Sequence, residues 1–181
     1  MRQPVKGKKN IPVPKKPIRK PYRHKKYGTS LLEADFAHDF LDRLGLRYVY
    51  QYEAKEIGRY YDFAVTADSE TDFKYVVKDG LRSIDQNSGG FSPDFIIEVD
   101  GDYWHANPKF IDESKLNNAQ KRTRKVDKLK DYWCGTHCIP LLRLWENDIR
   151  SNPSKVDGEL AAYSSVAARK LKAKRSKKLP H

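Results

Sequence analysis

The sequence predicts a small α/β domain, a mixed β-sheet flanked by helices, carried between two basic tails. Three observations predict it. Apolar runs of strand length alternate with segments of helical spacing in the order α-β-β-β-α-β-α. All 24 Asp and Glu lie in residues 28–168, where 18 Lys and Arg leave a formal charge of about −6. The flanks are the reverse: residues 1–27 carry 11 Lys and Arg and residues 169–181 carry 7, with no acid in either. The net +12 of the chain therefore belongs to its tails, which points to a polyanionic partner, nucleic acid first.

The elements follow in order. Residues 1–28 form a Pro/Lys-rich tail with five of the ten prolines (Pro4, Pro12, Pro14, Pro17, Pro21), a composition that cannot bury a core and is expected to be disordered or PPII-like. The domain, residues 29–150, opens with Ser30-Leu31-Leu32-Glu33, which matches a capping box, and Leu32, Phe36, Phe40 and Leu44 recur at helical spacing up to Gly45. Residues 47–52 and 59–65 read as strands around a turn near Gly58. Residues 67–92 are polar, with an apolar piece at 73–77 and a Gly89-Gly90 break; the length predicts an inserted hairpin arm or loop, with the piece at 73–77 as a groove or stacking element. A strand over 94–100 follows. A lysine-rich helix is predicted over 113–133, with Leu116, Ala119, Val126, Leu129 and Trp133 as a sparse apolar stripe and Gly135 as its end. Residues 139–145 are a last buried strand, and Asn152-Pro153 starts a C-terminal helix that runs into the basic tail of residues 151–181.

Two function classes recede at once. Cys134-Gly135-Thr136-His137-Cys138 invites zinc, but structural zinc takes four ligands from paired motifs and no second cluster exists, so two reduced thiols are expected. No apolar run approaches a membrane span and the N-terminus lacks a signal-peptide core, so a soluble, intracellular protein is expected.

The chemistry concentrates in Ile96-Ile97-Glu98-Val99-Asp100-Gly101-Asp102-Tyr103-Trp104-His105. Alternate strand residues share a face, so Glu98 and Asp100 point the same way from a strand that is otherwise apolar. Two such carboxylates repel each other and resist desolvation, and a divalent cation is the usual reason to tolerate them. Asp62 sits mid-strand between Tyr61 and Phe63, where aspartate is disfavoured unless something holds it. Asp94, after Pro93, competes for the same role, although a strand start also suits a turn residue. Glu33, His105 and Asp127 complete the candidates: Glu33 also closes the capping box, and Asp127 lies among lysines that look solvated.

Together these residues resemble the PD-(D/E)xK nuclease superfamily: a strand aspartate, a second strand with acids and a neighbouring helix. More narrowly, residues 97–105, a helix with Asp127, and Leu142-Arg143-Leu144-Trp145-Glu146-Asn147-Asp148-Ile149 resemble the very-short-patch-repair-like (Vsr-like) endonucleases, closest to the phage and homing enzymes with an E-D-x-H-D pattern. Glu33, Asp62, His105 and Asp127 occur in that order, and the resemblance covers roughly residues 29–150. Asp100 stands where the lysine of the broader motif would follow Glu98, the interval from Asp62 to Glu98 is lengthened by the insertion, and the zinc ligands of the repair enzymes have no counterpart.

The resemblance implies hydrolysis of DNA phosphodiesters by nicking or double-strand cutting, with Mg²⁺ (or Mn²⁺) on Asp62 and one of Glu98 and Asp100. It makes His105 a general acid or base, oriented with Glu33 and Asp127. Lys121, Arg122, Arg124 and Lys125, with the tails, are the expected DNA-binding groups, positioning the duplex through phosphates rather than reading sequence. The competing class is a non-catalytic nucleic-acid-binding or packaging protein on a nuclease-like scaffold.

Overall fold

The computed structural model describes residues 31–176. The N-terminal tail, the Ser30 cap and the last five residues, on which the expectations of disorder and of a capping box partly rest, lie outside them. The described chain is mixed α/β: a helix, α1 (Leu31–Phe36), continues as a π-helical segment (Ala37–Asp42), then come β1 (Arg47–Ala54), β2 (Arg59–Thr66), a hairpin of β3 (Tyr75–Lys78) and β4 (Leu81–Ile84), and β5 (Phe95–Asp100). A single 3₁₀ turn (Glu113–Lys115) precedes α2 (Asn118–Thr136), followed by β6 (Leu141–Trp145), α3 (Glu146–Ser151) and α4 (Pro153–Ser176). Among these residues no helix is long and apolar enough to cross a membrane.

The four-stranded sheet has the order β1-β2-β5-β6, with β1-β2 and β2-β5 antiparallel and β5-β6 parallel. Helix α2 is the crossover that a parallel β5-β6 pair requires. One face of the sheet carries Phe63, Val65, Phe95, Ile97 and Val99 and packs on Phe36, Phe40 and Leu41, with Val156, Leu160 and Ala167 of α4. The other carries Ala64 and Ile96 and packs on Trp133 and Cys134 of α2. Helix α4, expected beyond the domain, is thus part of its core.

Three expectations need correction. The π-helical segment widens the turn after Phe36, so the buried set becomes Phe36, Phe40 and Leu41, while Leu44 is turned out to solvent. Helix α2 begins at Asn118, where Asn117 and Gln120 form a reciprocal capping box, and runs past Gly135 to Thr136; the left-handed residue after it is Cys138, at φ 54°. Of the apolar stripe only Trp133 is buried against the sheet: Ala119 and Leu129 are exposed, Leu116 and Val126 half-buried, and the other buried residues of α2 are Gln120 and Cys134. A helix lying over a carboxylate-bearing strand must meet it with polar groups.

Candidate active site

The site forms where the sheet comes apart. The ladder between β2 and β5 stops at Phe63↔Ile97, and the next pair in register is Asp62 and Glu98. Their side chains replace the lost backbone bonds. The Val99 N–H donates to Asp62 Oδ2 at 2.7 Å, and the Asp62 N–H donates to Glu98 Oε1 at 3.3 Å. On the other side, Gln51 faces Asp62 in a register that is continuous on both flanks, Tyr50↔Phe63 and Tyr52↔Tyr61. Gln51 has φ 50°, a conformation that a non-glycine residue seldom adopts. This kink reverses the alternation of β1: Tyr50 packs in the α1-side core, whereas Tyr52, two residues on, packs with Trp133. The carboxylates are thereby set at a break in the sheet, where backbone amides are free to hold them.

Glu98 and Asp100 share one face, as their spacing requires, and each is only 2% exposed. They have different partners. Lys130, from α2, donates to both oxygens of Glu98, at 3.0 and 2.7 Å. Arg143, from β6, donates through Nη1 to both oxygens of Asp100 at 2.9 Å, and through Nε to Asp131 at 3.0 Å. His105 Nδ1 lies 3.0 Å from Asp127 Oδ2 and 3.3 Å from Asp100 Oδ1. Glu33 reaches the cluster from α1, its Oε2 accepting from the Tyr50 hydroxyl at 2.9 Å.

The fields follow from this arrangement. Burial, then the charges of Glu98 and Glu33, push the Asp62 carboxyl well above its ordinary range, with Lys130 and the Val99 amide opposing. Burial also pushes Glu98 up, against the pull of Lys130 and Arg143. For His105 burial works downward, but the Asp127 hydrogen bond and the Asp100 charge prevail, so its pKa is raised. Burial opposes the ionisation of Asp127, yet His105, Arg143 and Lys130 hold its carboxyl below the usual value.

His105 is delivered by the loop between β5 and α2. The Asn107 amide donates to Asp102 Oδ1 at 2.6 Å, the Gln120 side chain donates to Tyr103 O at 2.8 Å, and Ala106 and Asn107 are fully buried. The loop therefore turns His105 inward and leaves Tyr103 and Trp104 exposed, Trp104 by 61%.

The structure thus brings Glu33, Asp62, Glu98, Asp100, His105 and Asp127 into one cluster. Asp94 is elsewhere, at the opposite end of β5, where its Oδ2 accepts from the Ala67 amide at 2.8 Å and the Thr66 hydroxyl at 3.3 Å. Of the basic residues singled out on α2, Lys121, Arg122 and Lys125 are exposed. Arg124 is half-buried and holds the loop instead, through Glu113 at 2.9 Å and Ala106 O at 3.5 Å.

Two residues escaped the sequence reading. Lys130 belongs to the run of lysines around Asp127 that look solvated in the sequence, yet its ammonium sits on both oxygens of Glu98. Its signal was its place three residues after Asp127, one turn along the same face. Arg143 lies between Leu142 and Leu144 in a buried strand, a position that by itself calls for a carboxylate partner.

Among the described residues, no group of three or more His, Cys, Asp or Glu is arranged to hold a metal ion. The Asp62–Glu98 pair nonetheless fits a hydrated Mg²⁺, which is bound through one or two carboxylates plus water and substrate phosphate. Burial pushes both carboxyls up with Lys130 opposing at each, and Lys130 already donates to both oxygens of Glu98, so a cation there would share the pair with that ammonium. Asp100 is held in the same way, by Arg143 on both oxygens and by His105; what favours Glu98 is its place beside Asp62. No family model matches the chain, and no curated protein or solved structure matches it either.

Proposed function

We propose that this chain is a metal-dependent DNA endonuclease of the Vsr-like type, hydrolysing phosphodiester bonds on a PD-(D/E)xK-like core. One observation carries the reading. A half-buried aspartate beside a buried glutamate (Asp62, Glu98), a lysine on that glutamate, and a carboxylate-held imidazole converge on a break in the sheet. A packaging or binding protein needs none of these, because a buried Glu98–Lys130 pair is costly to desolvate and adds no phosphate contact.

Asp62 and Glu98 are the residues to hold Mg²⁺ or Mn²⁺, which when bound would neutralise charge on the scissile phosphate. The protein's own groups divide the remaining work. His105 is held at Nδ1 by Asp127 and Asp100, which leaves Nε2 as the atom that gives a proton to the leaving oxygen. Its raised pKa favours that acid role over the base role, because the imidazolium persists nearer neutrality. Lys130 places a cation beside Glu98, where it can meet a phosphate oxygen. Arg143 fixes Asp100 and lies 3.5 Å from Asp127, so it orients the carboxylates that orient His105. Glu33 is held by Tyr50 and adds the negative charge felt by Asp62.

The test is cleavage of supercoiled plasmid with Mg²⁺ and with EDTA. Nicking or linearisation is expected with Mg²⁺ alone, and Asp62→Asn is expected to abolish it while retaining DNA binding and native circular dichroism. Cutting that survives EDTA, or full activity in D62N, overturns the assignment. DNA binding with no cutting under Mg²⁺ or Mn²⁺ favours the non-catalytic scaffold.

A further inference from the structure

The β3–β4 hairpin is anchored by Leu81 and Ile84 in the core, but its outer strand β3 is used neither by the core nor by the site chemistry. We propose that it is a DNA-contacting arm, a two-stranded ribbon that enters the major groove of a duplex lying on the site. The proposal rests on the endonuclease reading for the position of the duplex.

The arm is fixed in place. Ser83 Oγ accepts from the Tyr50 amide at 2.8 Å, and the Gln86 side chain bonds both the N–H and C=O of Glu53, at 2.7 and 2.8 Å. At its base the Arg47 guanidinium donates to Asp68 O and Thr71 O, each at 2.7 Å, and lies over the Phe73 ring. Its tip is Asp79-Gly80, with φ 51° and 85°, the two-residue turn that matches strand twist and keeps the ribbon narrow. A ribbon of two strands is an element that the roughly 12 Å major groove admits.

Its surface suits that partner. Val77 is 78% exposed and Val76 42%, apolar side chains that the fold leaves in water. Arg82, opposite Val77 in the ladder, stacks on the Tyr75 ring at 4.0 Å. Residues 73–84 carry three cations, Lys74, Lys78 and Arg82, against one acid, Asp79. The central domain is formally acidic, so a cationic ribbon stands out against its background and selects a polyanion rather than another acidic protein surface. Exposed valines flanked by cations are complementary to thymine methyls flanked by phosphates.

The arm also adjoins the chemistry. Lys78 Nζ lies 5.9 Å from the centroids of both the Tyr50 and Tyr60 rings, and the Tyr50 hydroxyl holds Glu33.

Binding of the full chain to a fluorescent 30-mer, read by anisotropy in EDTA across a salt series, tests the arm without relying on cleavage. Lys78→Ala/Arg82→Ala is expected to weaken duplex binding about tenfold and to reduce the salt slope by about 2, one unit for each lost phosphate contact. Val77→Glu is expected to weaken binding to duplex more than to single strand. Unchanged affinity and slope in both variants overturn the arm, as does equal loss on single-stranded and duplex DNA, or a wild-type chain that binds no duplex. A wild-type chain that binds through the arm but cuts nothing overturns the nuclease reading alone.

Discussion

At the scale of single residues, His105 shows how much its neighbours decide. A histidine in a loop after Trp104 has no special property in the sequence. Held by Asp127 at 3.0 Å and Asp100 at 3.3 Å, it becomes an imidazolium whose proton is retained above the ordinary value. The direction sets the pH behaviour. Below about 6.5, the ordinary histidine value, the group is charged whether folded or not. As pH rises through the raised folded value the proton is lost, and with it both the ion-pair contribution to stability and the acid needed by the leaving oxygen. Activity is therefore expected to fall on the alkaline side with His105. Asp127→Asn removes the hydrogen-bonded charge and is expected to move that limb to lower pH and to lower kcat about tenfold or more. A limb that stays in place, read from kcat against pH, assigns the proton to another group. Asp62 and Glu98 were legible as odd residues, because an acid inside an apolar strand is conspicuous in any sequence. Gln51 was not legible, since its left-handed backbone is imposed by the break opposite Asp62 and leaves no trace in residue type.

At the scale of elements, α2 shows the limit of periodicity. Its length and lysine content were readable, but its inner face was expected to be apolar and is largely polar: Gln120 and Asp127 meet the loop after β5 at Tyr103 and His105, and Lys130 meets Glu98, before Trp133 and Cys134 close the end. The physical reason is that β5 exposes two carboxylates to α2, and burying them unpaired costs far more than the helix gains from apolar contact. The Lys130–Glu98 pair is buried on both sides, with side-chain exposures of 12% and 3%. Lys130→Met is thus expected to destabilise the protein by about 3 kcal/mol in a urea melt, because it leaves Glu98 an uncompensated buried charge. Adding Glu98→Gln is expected to restore most of that loss. If the two changes simply add, the ion pair is not what holds this contact. The hairpin was likewise foreseen as an insertion with structure of its own, because a bare loop of that length is uncommon in a compact domain. Its attachment along β1 through Ser83 and Gln86 depends on side chains more than thirty residues from their partners, which no local pattern reports.

At the scale of the whole molecule, charge is segregated. The acidic centre carries the site, and residues 1–27 carry 11 of the 36 cations. A domain of that sign repels a polyanion at long range, so under the proposed nuclease function the tails would supply counterion release and the site the chemistry. Deletion of residues 1–27 is expected to weaken duplex binding and flatten its salt dependence while leaving the melting temperature within about a degree. An unchanged slope shows that the tail does not touch phosphate. Such a division agrees with a core built from residues 31–176, in which α4 supplies Val156, Leu160 and Ala167 to the same apolar layer as α1.

By itself the sequence determined the mixed α/β class, the order of the main strands and helices without α3, the basic flanks and the presence of acids where a strand should be apolar. Those are local properties, set by side-chain period and composition, and they survive any rearrangement of the elements. Only the tertiary structure decided that Asp62 rather than Asp94 stands beside Glu98, that Asp100 belongs to Arg143, and that a lysine from α2 completes the acid pair. Each of those is a contact between residues far apart in the chain. Desolvation selects it once the elements pack, because a buried charge must find its partner wherever the fold places one.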